Sequence, residues 1–192
     1  MFSMISPFLR RAIVSIAAVL LVSCSQAPEP VSGQPAGGDF VLQGPQGQVD
    51  TRSFRGKLLL IYFGYANCPD ICPISLAVIN EVITSLPAEQ RAAIQPIMVS
   101  VDSDRDTPEK LAIYTAYFHP SLIGVTGKAD EIARVAGSFG AGYVKQAVRP
   151  DGSYAVDHSA SIYVVNKTGK LVATVPIGVS ADEVAAIVRK HL

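Results

Sequence analysis

A layered α/β domain built on a mixed β-sheet is what this sequence predicts, and three observations carry that expectation. Two runs read as buried central strands: "KLLLIYFGY" (57–65), continuously apolar after its lysine, and "IQPIMVSV" (94–101). Segments with helical periodicity separate the strand-like runs. A late pair of strand-like runs, followed by one more helix, closes the chain.

Each element has its own signal. An N-terminal hairpin is expected within residues 39–54, where "VLQ" and "QVDT" flank the turn residues "GPQG". After the first central strand, Leu76, Ile79, Ile83 and Leu86 recur at helical spacing, which makes an amphipathic helix. Proline is favoured at a first helical position, so this helix is expected to begin at Pro73, directly after Cys72. "TPEKLAIYTAYF" is a second helix, with Thr107 as N-cap and Pro108 in the first turn. "LIGVTG" is a short strand, and "KADEIARVAGSFG" a third helix ended by Gly140. "SASIYVVN" and "KLVATVP" form a hairpin across "NKTGK", and Ser180 with Glu183 is a capping box for the last helix. A strand that delivers a cysteine pair into a helix start, with a late hairpin and a last helix, is the thioredoxin plan. The expected fold is therefore α/β and thioredoxin-like, a central mixed sheet flanked by helices, with an N-terminal β-hairpin extension.

The first 38 residues are not expected to belong to that fold. Arg10 and Arg11 form a positive n-region, and residues 12–22 form an apolar stretch of signal-peptide length, too short to span a bilayer. It ends in "LVSC", which resembles a bacterial lipobox. Residues 1–23 are thus expected to be a lipoprotein signal peptide, with Cys24 lipidated; an ordinary signal peptide or an uncleaved anchor are the alternatives. Cleavage removes Arg10 and Arg11 and no acid, which takes the formal net charge from 0 to −2. Residues 24–38 are rich in Pro, Gly and Ser and read as a flexible tether, roughly 20 Å from end to end. The domain is expected over residues 39–192, outside the cytoplasm in a bacterial cell envelope. A chain that is 49% hydrophobic can fill its core, and its balanced charge gives no basis for nucleic-acid binding.

The chemistry concentrates in "YFGYANCPDICP" (62–73). With Cys24 assigned to lipid, the chain's three cysteines leave one pair, Cys68 and Cys72. A helix N-terminus stabilises thiolate, so both thiols are expected to be acidified. A thiolate is at once a nucleophile and a soft metal ligand. Two of them favour copper(I) among soft or borderline metals, but fall short of a structural zinc site. A third ligand has to come from elsewhere. Of the three histidines, His191 is terminal and solvated, and His119 is a surface residue at a helix end. His158 lies just ahead of a buried strand, in a loop that faces the cysteine turn in the thioredoxin plan; it is either a ligand or a hydrogen-bonded loop histidine. Asp157 is either its orienting partner or a turn residue. Asp70, between the cysteines, either tunes a thiol or is an exposed turn aspartate. Asp102, Asp104 and Asp106 begin like an EF-hand loop, but Thr107 and Ile113 stand where Gly and Glu are needed. That segment is expected to be a solvated strand-to-helix loop. Met98 reads as core.

Three motifs in this order, "YFGYANCPDICP", "VSVDSDRDTPEKLAIY" and "DHSASIYVV", resemble the Sco (SenC) family of membrane-tethered, thioredoxin-like proteins. The resemblance covers the domain from about Asp39 to the C-terminus. It implies a copper site made by Cys68, Cys72 and His158. It also implies a metallochaperone, not an enzyme, that serves the dinuclear copper site of cytochrome c oxidase subunit II. Expected partners are that subunit, other periplasmic copper chaperones and, through lipid on Cys24, a membrane. The alternatives that use the same thiols are a thiol–disulfide oxidoreductase acting on the copper-receiving partner, with Cys68 and Cys72 as its redox-active pair, and a copper or redox sensor.

Overall fold

A computed structural model of the chain describes residues 35–192. The signal peptide, Cys24 and most of the tether lie outside the described residues. Gly37, placed in the tether by its sequence context, donates its N–H to the Ser138 carbonyl at 3.0 Å, so contact with the domain begins before Asp39. Its φ of +67°, and the 2.8 Å that would separate a Cβ there from Leu171 Cβ, leave room only for glycine.

The hairpin comes first, as β1 (Val41–Gly44) and β2 (Gly47–Asp50), paired in register from Val41↔Asp50 to Gly44↔Gly47 across a Pro45–Gln46 turn. A two-stranded ribbon is marginal alone. This one buries Phe40 and Leu42 and is tied to the main sheet by reciprocal Gln43–Thr126 backbone bonds of 2.7 and 2.9 Å. A 3₁₀ turn over Thr51–Phe54 leads to β3 (Leu58–Gly64). Then come α1 (Ile71–Ser85), the short α2 (Ala88–Ala92) and β4 (Ile94–Ser100). They are followed by α3 (Pro108–Phe118), β5 (Ile123–Val125) and α4 (Ala129–Phe139). The chain finishes with β6 (Tyr143–Lys145), β7 (Val156–His158), β8 (Ser161–Val165), β9 (Leu171–Pro176) and α5 (Ala181–His191).

The main sheet runs β5-β4-β3-β8-β9, parallel from β5 to β3 and antiparallel from β3 to β9. This is the mixed sheet that the pattern of runs predicts. Every residue of β3 and of β4 is buried, including the polar Gln95 and Ser100 of β4, so both read as central strands. Phe40, Phe63, Phe139 and Tyr163 pack edge-on or tilted, with ring centroids 5.4–6.2 Å apart, and join hairpin, sheet and α4 in one core. The expected caps are present. Thr107 Oγ1 accepts from Lys110 N, Ser180 and Glu183 bond reciprocally, and Gly140 ends α4 at φ 68°.

Two differences from the sequence expectation bear on the site. The helix after the cysteines begins at Ile71, not at Pro73. The first four helical N–H groups have no intrahelical partner, so proline costs nothing as late as the third position. Cys72 is thereby drawn into the first helical turn. The second difference is the small β6–β7 ribbon, paired Tyr143↔His158, Val144↔Asp157 and Lys145↔Val156. It is a two-stranded arm whose intervening residues 146–152 are exposed, and it carries His158 at its end.

Candidate metal centre

The site forms where β3 and β4, adjacent and parallel in register up to Gly64↔Ser100, release their chains at their carboxyl ends. The loop after β3 carries Cys68 and turns into α1, where Cys72 sits. The loop after β4 carries Asp102–Asp106. The β6–β7 arm brings in His158.

Cys68 Sγ, Cys72 Sγ and a His158 ring nitrogen all lie within 4.8 Å of one another. His158 Nε2 is 3.3 Å from Cys72 Sγ. The Cys72 amide, a free N–H of the first helical turn, donates to Cys68 Sγ at 3.5 Å. Cys72 is fully buried and Cys68 is partly exposed, so the centre opens to solvent on the Cys68 side. Both thiols are free in this structure. Gly64 stands directly beneath, because a Cβ on it would lie 2.7 Å from Cys72 Sγ and 2.7 Å from Tyr62 Cε1.

The electrostatics correct one expectation. The Cys72 thiol is not acidified: burial pushes it up to about 12, and a backbone hydrogen bond in the Tyr65 loop opposes this only in part. Desolvating an anion outweighs the helix N-terminus here. Burial also holds His158 below the ordinary imidazole range, so the ring is neutral at pH 7. Its Nδ1 lies 3.3 Å from the Ser159 carbonyl. With the proton placed on Nδ1 by that contact, the Nε2 lone pair faces the sulfurs. The rings of Tyr62 and Tyr65 meet the imidazole edge-on, with centroids 6.0 and 5.8 Å away, and fix its plane. Burial raises the pKa of Tyr62 too, so a neutral phenol backs the site.

The remaining candidates are placed as follows. Asp157 does not orient His158; its carboxylate accepts from the Gln146 amide on the outer side of the arm. The Ser159 carbonyl holds the ring instead. Asp70 is exposed at the helix start and makes no capping bond with its side chain. His119 Nδ1 accepts from the Ser121 amide at 3.1 Å, away from the site. Met98 is buried in the core.

The loop after β4 departs most from expectation. Asp104 is exposed, but Asp102 and Asp106 are buried, with 4% and 1% of their surfaces accessible. Asp106 Oδ2 accepts from Ala66 N at 2.8 Å and from Ser100 Oγ at 2.7 Å, while Oδ1 pairs with Lys110 Nζ at 3.0 Å. Lys110 also donates to Asn67 Oδ1 at 2.5 Å. The cysteine loop is thus held through its backbone and its side chains. Residue type gave no hint of this burial; only the strand neighbours, each opening into one of the two loops, pointed to it.

The donor set of two thiolates and one imidazole fits a soft, thiophilic ion. Comparison with known proteins agrees with the fold. The family model for SCO1/SenC matches residues 28–192. The chain is 38% identical over 157 residues to the mitochondrial SCO2 homologue of Bos taurus, a match that covers 81% of this chain and 59% of that one. The chain therefore spans less than two thirds of the mitochondrial relatives it matches. ScoI of Bradyrhizobium japonicum, solved with copper bound, superposes with a TM-score of 0.73 at 37% identity, over 81% of this chain and 99% of that one. BsSco, described as having a disulfide switch and as a member of the Sco family of cytochrome c oxidase assembly proteins, superposes with a TM-score of 0.64 at 26% identity, over 86% and 97%. Matched along all of its described length by one family model, this chain belongs to the SCO1/SenC family.

Proposed function

We propose that this protein is a membrane-tethered copper metallochaperone of the bacterial cell envelope. In this reading Cys68, Cys72 and His158 hold the copper it carries, and it assists assembly of the dinuclear copper site of cytochrome c oxidase subunit II. One observation carries the reading: two sulfurs and an imidazole nitrogen from three separate places in the chain lie within 4.8 Å of one another. The copper-bound relative of the same fold supports the choice of metal.

The residues divide the work. Cys72 keeps its proton until a cation arrives, because burial disfavours a bare thiolate. Binding copper expels that proton and puts the metal's charge where the buried anion needs it. His158 is neutral and already points its lone pair inward. Two thiolates satisfy copper(I), and the added imidazole favours copper(II). The half-exposed Cys68 gives a partner's ligands a point of attack. Lipid on Cys24 and the tether of residues 24–38 would keep the domain, residues 39–192, close to a membrane-bound partner. Among the described residues no helix is long and apolar enough to cross a membrane.

The test is a transfer experiment. Copper-loaded full-length protein is mixed anaerobically with the reduced copper-binding domain of cytochrome c oxidase subunit II, and the copper content of each is measured after separation. The proposal expects copper to move to subunit II from the loaded wild-type protein, and a Cys72→Ser sample carried through the same loading to hold and deliver little copper. Copper that stays put would refute the delivery role.

The same geometry favours a second reading. The Cys68 and Cys72 sulfurs lie within 4.8 Å of each other with both thiols free, a separation from which a disulfide can close. In that case the Cys68 thiolate attacks a disulfide in the partner and forms a mixed disulfide. Cys72 then displaces the partner's thiolate, leaving the partner reduced and a Cys68–Cys72 disulfide here. Reduction of an oxidised subunit II by a His158→Ala variant at wild-type rate would favour this reading.

A further inference from the structure

The segment 102–106 touches both of the chain pieces that carry the candidate ligands. On the cysteine side it holds Ala66 N through Asp106. On the histidine side its contacts converge on Tyr154, four residues ahead of His158. Asp102 Oδ1 accepts the Tyr154 O–H at 2.6 Å, and Arg105 Nη1 donates to the Tyr154 carbonyl at 3.0 Å. The Arg105 guanidinium lies 3.5 Å from the centre of the Tyr154 ring and is itself held by Asp102 Oδ2 at 2.5 Å. It also lies 5.7 Å from the centre of the Tyr65 ring. Tyr65 in turn accepts the Val156 N–H at 3.3 Å and packs edge-on against His158.

The arm needs such support. It has three residue pairs between two strands, a ribbon too small to hold itself. Val144 and Val148 on it are largely exposed, so burial anchors only part of it. The Asp102 side chain is 2% exposed and that of Arg105 22%. A buried ion pair gains little net stability over apolar residues of similar size. What this pair delivers is position. Resting on the reading of His158 as a copper ligand, we infer that Asp102, Arg105 and Tyr154 form a clasp that holds the β6–β7 arm and presents His158 Nε2 to the two sulfurs. These are positioning residues, and none of them belongs to the cluster of Cys68, Cys72 and His158.

Full-length Tyr154→Phe and Arg105→Lys variants test this. The first keeps the ring and removes one O–H. The second keeps the charge and removes the planar fork. In the metal-free reduced proteins, the clasp predicts hydrogen exchange at residues 143–145 and 156–158 about tenfold faster than wild type, the loss expected for one charge-assisted bond. Exchange in β3 should stay as it is. Unchanged exchange in the arm, or equal acceleration in β3, overturns the clasp. With copper, both variants should still bind one copper(I) per chain through the two thiolates. Their copper(II) absorption and electron paramagnetic resonance spectra should move toward those of His158→Ala. Wild-type copper(II) spectra in both variants, alongside a distinct His158→Ala spectrum, would sink the clasp and leave the copper site standing. A His158→Ala spectrum identical to wild type would overturn the ligand reading itself, and the clasp with it.

Discussion

Gly64 shows how closely the candidate centre is built at the scale of single residues. The Cys72 sulfur and the Tyr62 ring occupy the space where any other residue would place its Cβ. A Gly64→Ala change has to push one of them away, and neither is the free end of a flexible side chain. It is expected to cost about 1–3 kcal/mol of stability, as overpacking does, and to weaken copper(I) binding by moving the sulfur. Urea unfolding and a copper(I) competition titration of the same variant check both parts; wild-type affinity together with lost stability would separate packing from the centre. Cys68, Cys72 and His158 were legible in the sequence as chemistry-bearing types near predicted strand ends, and the structure brings them together. What was not legible was their electrostatic state. The helix N-terminus that acidifies an exposed thiol is overruled at Cys72 by complete burial, a property of the packed core that local sequence does not carry.

At the scale of elements, long apolar or periodic runs were read correctly and short polar ones were not. The strands 58–64 and 94–100, and the capped helices, announce themselves through period and cap residues. The β6–β7 ribbon does not. Its strands are three residues long, and half of their residues are exposed. Asp102 and Asp106 were read as solvated because aspartate usually is. Asp106 is buried because strands β3 and β4 end side by side and their loops share it as an acceptor, and Asp102 because Arg105 and the Tyr154 hydroxyl close over it. Asp106 is the firmest case. Asp106→Ala strips the partner from the Ala66 N–H and from the Ser100 hydroxyl, at an expected cost of about 1–3 kcal/mol for each buried donor left unpaired. Hydrogen exchange at Ala66 should speed up with it. An Ala66 amide as protected as in wild type would mean that the cysteine loop is held some other way.

The whole molecule couples its stability to pH through the same site. Burial holds the folded His158 below its ordinary value, so the unfolded chain takes up the proton first as pH falls through about 6.5. That stability is present above the ordinary imidazole pKa and is lost on the acid side. Cys72 works in the opposite sense. The unfolded thiol ionises from a reference of 9.0, while the folded one keeps its proton to about 12. Stability is therefore full below pH 9 and falls as pH rises through that window. Thermal unfolding of the reduced, metal-free protein should decline on both sides, and Cys72→Ser should flatten the alkaline limb. An unchanged alkaline limb in that variant would contradict the role given to Cys72. Copper(I) binding, which must release the Cys72 proton, should tighten as pH rises through neutrality. The central claim is that two sulfurs and one imidazole act together on copper, and its most direct test is an anaerobic copper(I) titration of the reduced full-length protein, with copper(II) spectra recorded on wild type, Cys72→Ser and His158→Ala. The account predicts one tightly bound copper(I) per wild-type chain, loss of tight binding in Cys72→Ser, and an altered copper(II) spectrum in His158→Ala. Equal affinity and identical spectra in all three would contradict it.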